Sequence, residues 1–198
     1  MALIRLLRAL SDAITRIERL ALMALIALLA ALVLANVGAR AAGRSLAWVN
    51  EAAVLAMTCA AFIGASLMLR ARMDPAVRLL HEVAGPRLLR ALRLSVSGLS
   101  LLFGLALLWL CWRLFDPAGL AATGFDIDAY EMASFNFLYT EVTPVMGLPR
   151  FWFYLILPWF ALTLSLHALT NLAEDAGLTP PRALADELRG DENGERAP

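Results

Sequence analysis

The chain has 198 residues, of which 61% are hydrophobic and only 17% charged, with a mean hydropathy of +0.70. Soluble domains run at roughly 45–50% apolar and about 25% charged, so a water-soluble enzyme built on one small core is excluded. Seventeen basic residues, all of them Arg, balance seventeen acidic ones, which leaves no electrostatic footprint for a nucleic-acid partner.

The segment 3–19 comes first. Leu3, Leu7, Leu10, Ile14 and Ile17 repeat at helical spacing, and Arg5, Arg8, Asp12, Arg16 and Arg19 take the other face. An amphipathic helix of this kind lies in the cytoplasmic headgroup layer or docks on another protein. Four uninterrupted apolar runs follow, Leu20 to Ala39, Ala52 to Leu69, Leu94 to Trp112 and Phe151 to Leu169. Each holds about 18–20 residues, which at about 1.5 Å rise reaches across a hydrocarbon core of about 30 Å. Backbone groups cannot stay unpaired in lipid, so the runs must be helices. The fold class is an all-α integral membrane protein with four transmembrane helices. The first run is about twice a signal-peptide core and follows a polar-faced segment, so it reads as an uncleaved anchor.

Between the runs, Pro75 opens a short interfacial helix that Gly85-Pro86 ends. The loop 113–150 mixes Asp116, Asp126, Asp128, Glu131 and Glu141 with Phe125, Tyr130, Phe135, Phe137 and Tyr139. A surface-lying helix and a docking surface for a periplasmic partner both fit it. The four-helix domain is expected over 1–172, and the acidic, Gly- and Pro-containing tail 173–198 is expected to be disordered. Thirteen of the seventeen arginines fall in the N-terminal segment, the 70–93 loop and the tail, against four on the other side. The positive-inside rule then puts both termini in the cytoplasm, and Trp48, Trp109, Trp112 and Trp152 near the outer face.

No Asp, Glu, Arg or Lys lies inside any of the four runs, and Glu51 stands at the edge of the second. Coupled transport needs such groups near the midplane, so this chain is not expected to carry solute by itself. His81 and His167 are the two histidines. A haem between them would require a ligand from a loop helix, so no cofactor is expected, and His167 reads as an interfacial residue near a helix end. Ser165 and His167 are two apart on one helix and point to different sides, which argues against an intramembrane protease. Cys59 and Cys111 lie about 12 Å apart along the helix axis by rise alone, too far for a disulfide. No metal-ligand spacing is present. Small residues recur every fourth position at Ala52, Ala56, Ala60 and Gly64, and at Ala27, Ala31, Ala35 and Ala39, with a weaker notch at Ser100 and Gly104. Such stripes let lipid-embedded helices approach closely, within the chain or against another protein.

Several of these residues, taken in order, resemble the small (DctQ-type) membrane subunit of tripartite ATP-independent periplasmic (TRAP) transporters. They are Trp48 with Asn50-Glu51, then Phe62-Ile63-Gly64-Ala65 and Leu69-Arg70. Near the last helix they are Thr143-Pro144-Val145-Met146-Gly147-Leu148-Pro149, Tyr154 and Pro158. The likeness covers roughly Leu20 to Leu172. Two departures stand out: one carboxylate at Asn50-Glu51 where the family has an acidic pair, and Asp74 and Val77-Arg78 where it often has His and Val-Asp. The resemblance implies a non-catalytic scaffold subunit in a bacterial inner membrane. Its partners would be a large membrane subunit that moves sodium and an organic acid, and a periplasmic binding protein that delivers the acid. On this reading Trp48 anchors the second helix, and Glu51 accepts hydrogen bonds from a neighbouring helix end or an Arg. Ala52, Ala56, Ala60 and Gly64 permit close packing, and Arg70 meets phospholipid phosphate or an acidic partner. Gly147 and Pro149 set the turn before the fourth run, beside Tyr154, and Pro158 bends that run. The alternatives are a membrane anchor of a redox complex and a stand-alone intramembrane enzyme.

Overall fold

The computed structural model describes residues 2–72 and 85–179. The helix expected from Pro75, with His81, lies outside the described residues, as does the tail beyond 179. Seven helices occur among the described residues: α1 (Ala2–Ala41), α2 (Ala47–Arg70), α3 (Pro86–Phe115), α4 (Pro117–Ala122), α5 (Ile127–Ser134), α6 (Phe151–Tyr154) and α7 (Ile156–Asp175). One isolated bridge, Val142 to Pro149, stands in place of any strand among those residues. Among the described residues, four helical stretches are long and apolar enough to cross a membrane, the last being α6 and α7 together.

The amphipathic segment and the first run are one helix. Nothing between Leu3 and Val37 breaks a helix, since the stretch lacks Gly and Pro. Termination comes at Gly43, whose φ of +73° only glycine adopts without strain. Gly43 N–H donates to the Arg40 carbonyl and Arg44 N–H to that of Ala39, the paired bonds that close a helix with a left-handed residue. The fourth stretch breaks where proline dictates. Pro158 has no N–H for the Tyr154 carbonyl, and its ring crowds that oxygen; the helix is interrupted at Leu155. It then runs to Asp175, past the domain edge expected at 172, and Gly177 at φ +81° closes it.

The chain divides into two compact units. One comprises the residues up to Arg19, Gly64–Leu105 and those from Leu162 on; the other comprises Leu20–Ile63 and Ala106–Ala161. Within the first unit, α3 and α7 approach closely at Gly104. A Cβ added there would lie 2.5 Å from Ser165 Oγ and 3.2 Å from Ser165 Cα. The notch at Gly104, the weaker signal in the sequence, is thus a place of close helix approach. Within the second unit, Ala27, Ala31 and Ala35 are exposed on α1, whereas Ala52 and Ala60 on α2 are half-buried and Ala56 is buried. In the most apolar stretch of α1 only 6% of residues are buried within the chain, against 44% in the fourth stretch. The first helix therefore leaves most of its apolar surface to lipid or to another protein.

Candidate functional site

The first unit holds a cluster of polar side chains that periodicity did not reveal. Ser11, Thr15 and Glu18 are spaced so that they share one face of α1, and all three are buried. On α7, His167 is buried as well, with no exposed surface. Ser11 Oγ lies 2.8 Å from His167 Nδ1, and Glu18 Oε2 lies 3.1 Å from Nε2. With a proton on Nε2 and a free lone pair on Nδ1, the ring fits both contacts: Nε2 donates to Glu18, and Nδ1 accepts from the Ser11 hydroxyl. The order hydroxyl, imidazole, carboxylate is that of an activated nucleophile. However, Ser11 and His167 are both at 0% exposure, so no substrate atom reaches the hydroxyl. The arrangement fastens α1 to α7. Both ring nitrogens of His167 are engaged, so it is neither the interfacial residue expected nor an open haem ligand.

A second group surrounds the end of α2. Arg70 is 1% exposed; its Nη1 donates to Asn171 Oδ1 at 2.8 Å, and its Nη2 to Glu174 Oε1 at 3.0 Å and Asp12 Oδ1 at 3.3 Å. Arg72 adds bonds to Asp175 at 2.6 Å and to Glu174 Oε2 at 3.2 Å. Arg72 adopts φ +54°, a left-handed conformation costing a non-glycine residue roughly 1 kcal/mol, and its guanidinium contacts offset that strain. Asn171 Nδ2 donates to the Leu69 carbonyl at 2.8 Å, an oxygen that also accepts from Arg72 N–H at 3.2 Å where α2 ends. Ser97 Oγ donates to Asp175 Oδ2 at 2.8 Å. The expectation for Arg70 is thus corrected: its guanidinium is turned inward to Asp12, Asn171 and Glu174, and not outward to lipid phosphate or a separate partner. Buried charge of this kind requires partners, and the chain supplies them from α1 and α7.

The second unit turns several of its polar side chains on backbone groups. Glu51, half-buried on α2, accepts from Met146 N–H at 2.7 Å and from Val145 N–H at 3.4 Å. Its partner is a loop, not the helix end or the Arg expected. That loop is a tight turn: Thr143 N–H donates to the Leu148 carbonyl, Gly147 N–H to that of Thr143, and Leu148 N–H to Thr143 Oγ1. Gly147 takes φ +66° within it, and Pro149 forms the bridge to Val142. Arg150 pairs with Glu141, whose other oxygen accepts from Tyr154 Oη at 3.4 Å. A cavity of about 490 Å³ opens beside Glu51, lined in part by Asn50, Val54, Thr143, Arg150 and Tyr154. Asn36 Nδ2 donates to Asn50 Oδ1 at 2.8 Å. Trp48 is 47% exposed, and Cys59 and Cys111 are free.

The loop 113–150 is folded around the end of α3. Asn136 Nδ2 donates to the Leu114 carbonyl at 2.8 Å, and Tyr139 Oη to that of Phe115 at 2.5 Å. Tyr130, 2% exposed, donates to Asp116 Oδ2 at 3.3 Å. Burial, then the neighbouring Tyr130 and Asp116, push the Tyr139 phenol above the ordinary tyrosine range, so it keeps the proton it donates.

This architecture of four membrane-length helices, with a turn braced on Glu51 and an interrupted last helix, coincides with a family match. The model of the DctQ component of the tripartite ATP-independent periplasmic transporters matches residues 29–177. The chain belongs to that family. No curated protein and no solved structure is similar enough to match. As a TRAP small subunit it is a transporter component and a multi-pass inner-membrane protein, and its family associates with the large TRAP membrane subunit and a binding protein. Trp48, Glu51, Ala52, Ala56, Ala60, Gly64, Arg70, Gly147, Pro149, Tyr154 and Pro158 all lie inside the matched range of this TRAP small subunit. Asp12 and Glu18, which hold the buried polar groups, lie before it.

Proposed function

We propose that this subunit is the stationary, non-catalytic scaffold of a sodium-coupled transporter importing an organic acid, and that both its termini are cytoplasmic. The observation that carries the reading is where its charges go. Arg70 is spent on Asp12, Asn171 and Glu174 of the same chain, and the outward faces of the long helices are apolar, as at Leu34, Val37, Leu99 and Leu102. A substrate or ion path uses charged groups that open to a water-filled cavity. A wall against which another subunit moves needs internal rigidity and an apolar exterior, which fits this distribution. The weakly covered α1, with Ala27, Ala31 and Ala35 exposed, is the helix best suited to the large subunit.

The test is a mild-detergent purification of the tagged chain with mass spectrometry, followed by reconstitution of what co-purifies. A stoichiometric, larger polytopic protein is expected, together with binding-protein-dependent uptake of an organic acid that collapses without a sodium gradient. Uptake by the small subunit alone would overturn the scaffold reading, and uptake indifferent to sodium would overturn the coupling. Replacing Gly64 by Leu is expected to lower recovery of the larger protein while the chain stays inserted.

A further inference from the structure

We propose that a crevice in the second unit holds an acyl chain of one phospholipid, whose phosphate is taken by Arg113. The crevice has a volume of about 460 Å³ and is walled by Phe62, Leu107, Cys111, Leu157 and Phe160, with Arg113 the one charged residue lining it. That volume lies within the roughly 300–1,000 Å³ of ligand-sized pockets. Two of its lining residues, Phe62 and Phe160, pack ring against ring with centroids 5.1 Å apart. Water is a poor occupant, because each molecule needs two to four polar partners, and the walls are almost wholly apolar. Hydrocarbon fills such a space.

Arg113 decides which hydrocarbon. Its guanidinium carbon lies 5.8 Å from the centroid of the Trp109 ring, a cation–π contact that steadies the charge at the crevice. Among the described residues Arg113 enters no salt bridge. It stands two residues before the end of α3, where a long cationic side chain and a Trp meet the headgroup layer. A guanidinium fork matches two oxygens of a phosphodiester. An apolar wall continuing to a free, positioned guanidinium is complementary to an amphiphile with an anion at its head. A helix of another subunit would need a carboxylate of its own at this level to meet Arg113, whereas a phospholipid brings the chain and the anion together. This inference stands apart from the scaffold role: it needs only the membrane span, the crevice and the cation.

Native mass spectrometry of the full chain in mild detergent tests it, titrating palmitoyl-oleoyl phosphatidylglycerol against the diacylglycerol with the same chains. One phospholipid is expected to be retained, and the diacylglycerol to bind about tenfold more weakly, since it lacks the charge-assisted contact. Arg113→Gln is expected to abolish that preference, and Arg113→Lys to keep part of it, having the charge without the fork. Leu107→Trp, which fills the crevice, is expected to abolish retention of both lipids; Cys111→Leu is the milder version should the larger side chain prevent folding. Arg150→Gln, whose guanidinium is paired with Glu141, is expected to bind lipid as the natural chain does. Equal binding of the two lipids, no retained lipid, or unchanged retention in Arg113→Gln would each overturn the proposal. Loss of the large subunit from Leu107→Trp with lipid retention unchanged would assign the crevice to a partner helix instead.

Discussion

Glu174 and Glu51 are both carboxylates near helix ends, yet the two units use them in opposite ways. In the first unit Glu174 has a side chain with 0% exposure and binds two guanidinium groups, those of Arg70 and Arg72. In the second, Glu51 is half-buried and accepts two backbone N–H groups of a loop. The same contrast runs through their neighbours. His167, Glu18, Asp12 and Asp175 answer other side chains, whereas Asn136 and Tyr139 cap the Leu114 and Phe115 carbonyls. Charge withdrawn from water must be neutralised by charge, and losing one partner leaves the other stranded. A loop set on helix ends needs only ordinary hydrogen bonds, each contributing about 1 kcal/mol net. The first unit is thus the fragile one to mutation and the second the tolerant one.

The largest expected effect is Glu174→Ala. It strips Arg70 and Arg72 of a shared carboxylate and should cost about 3–5 kcal/mol, read as a fall in Tm in detergent; a shift no larger than that of Glu51→Gln would erase the contrast between the units. His167→Ala should come close behind, because it leaves Glu18 buried without its imidazole, while Ser11→Ala should cost only about 1 kcal/mol, the value of one neutral hydrogen bond. Next is Gly104→Ala, where the added Cβ meets Ser165 and overpacking costs about 1–3 kcal/mol. Its control is Gly98→Ala, where nothing lies within 4 Å, and which should stabilise α3 slightly through helix propensity. Equal Tm values for the pair would show that the helices do not touch there.

In the second unit Glu51→Gln should weaken the bonds to Val145 and Met146 by about 1–2 kcal/mol and speed amide exchange at those residues, with little change of overall Tm. The smallest effect is Tyr139→Phe, about 1 kcal/mol, and its pH dependence has a definite sign. The folded-state pKa is raised, so the phenol's contribution is complete below the unfolded value of about 10 and is lost as pH rises through the higher folded value. Amide exchange in the loop should therefore differ between Tyr139→Phe and the natural chain by a constant factor from roughly pH 6 to 9, the gap closing only above that range.

Some of this was legible in the sequence. Apolar runs of membrane length announced four helices, because hydrophobic length is a property of consecutive residues. At Gly147 and Pro149, where a turn is expected, the chain makes a tight turn, and at Pro158, where a bend is expected, the helix is interrupted at Leu155. The join between segment 3–19 and the first run was missed because amphipathicity drew attention to Arg5, Arg8 and the leucines, while the stripe that packs is Ser11, Thr15 and Glu18. Polar residues at i, i+4 and i+7 look like a solvated face until a buried imidazole is found opposite them. Arg70 misled for the same reason: an arginine at a helix end ordinarily meets lipid phosphate, and only distant carboxylates turn it inward.

The sequence by itself determined that the chain is a helical membrane protein of four spans and which family it resembles, since hydrophobic length and local backbone chemistry are written in consecutive residues. Only the tertiary structure decided which polar groups are partners. Ser11 meets His167 across 156 positions and Arg70 meets Glu174 across 104. Such pairings are fixed by how helices pack, because a buried charge takes whichever opposite group the fold brings within hydrogen-bond reach, and no local period records that choice.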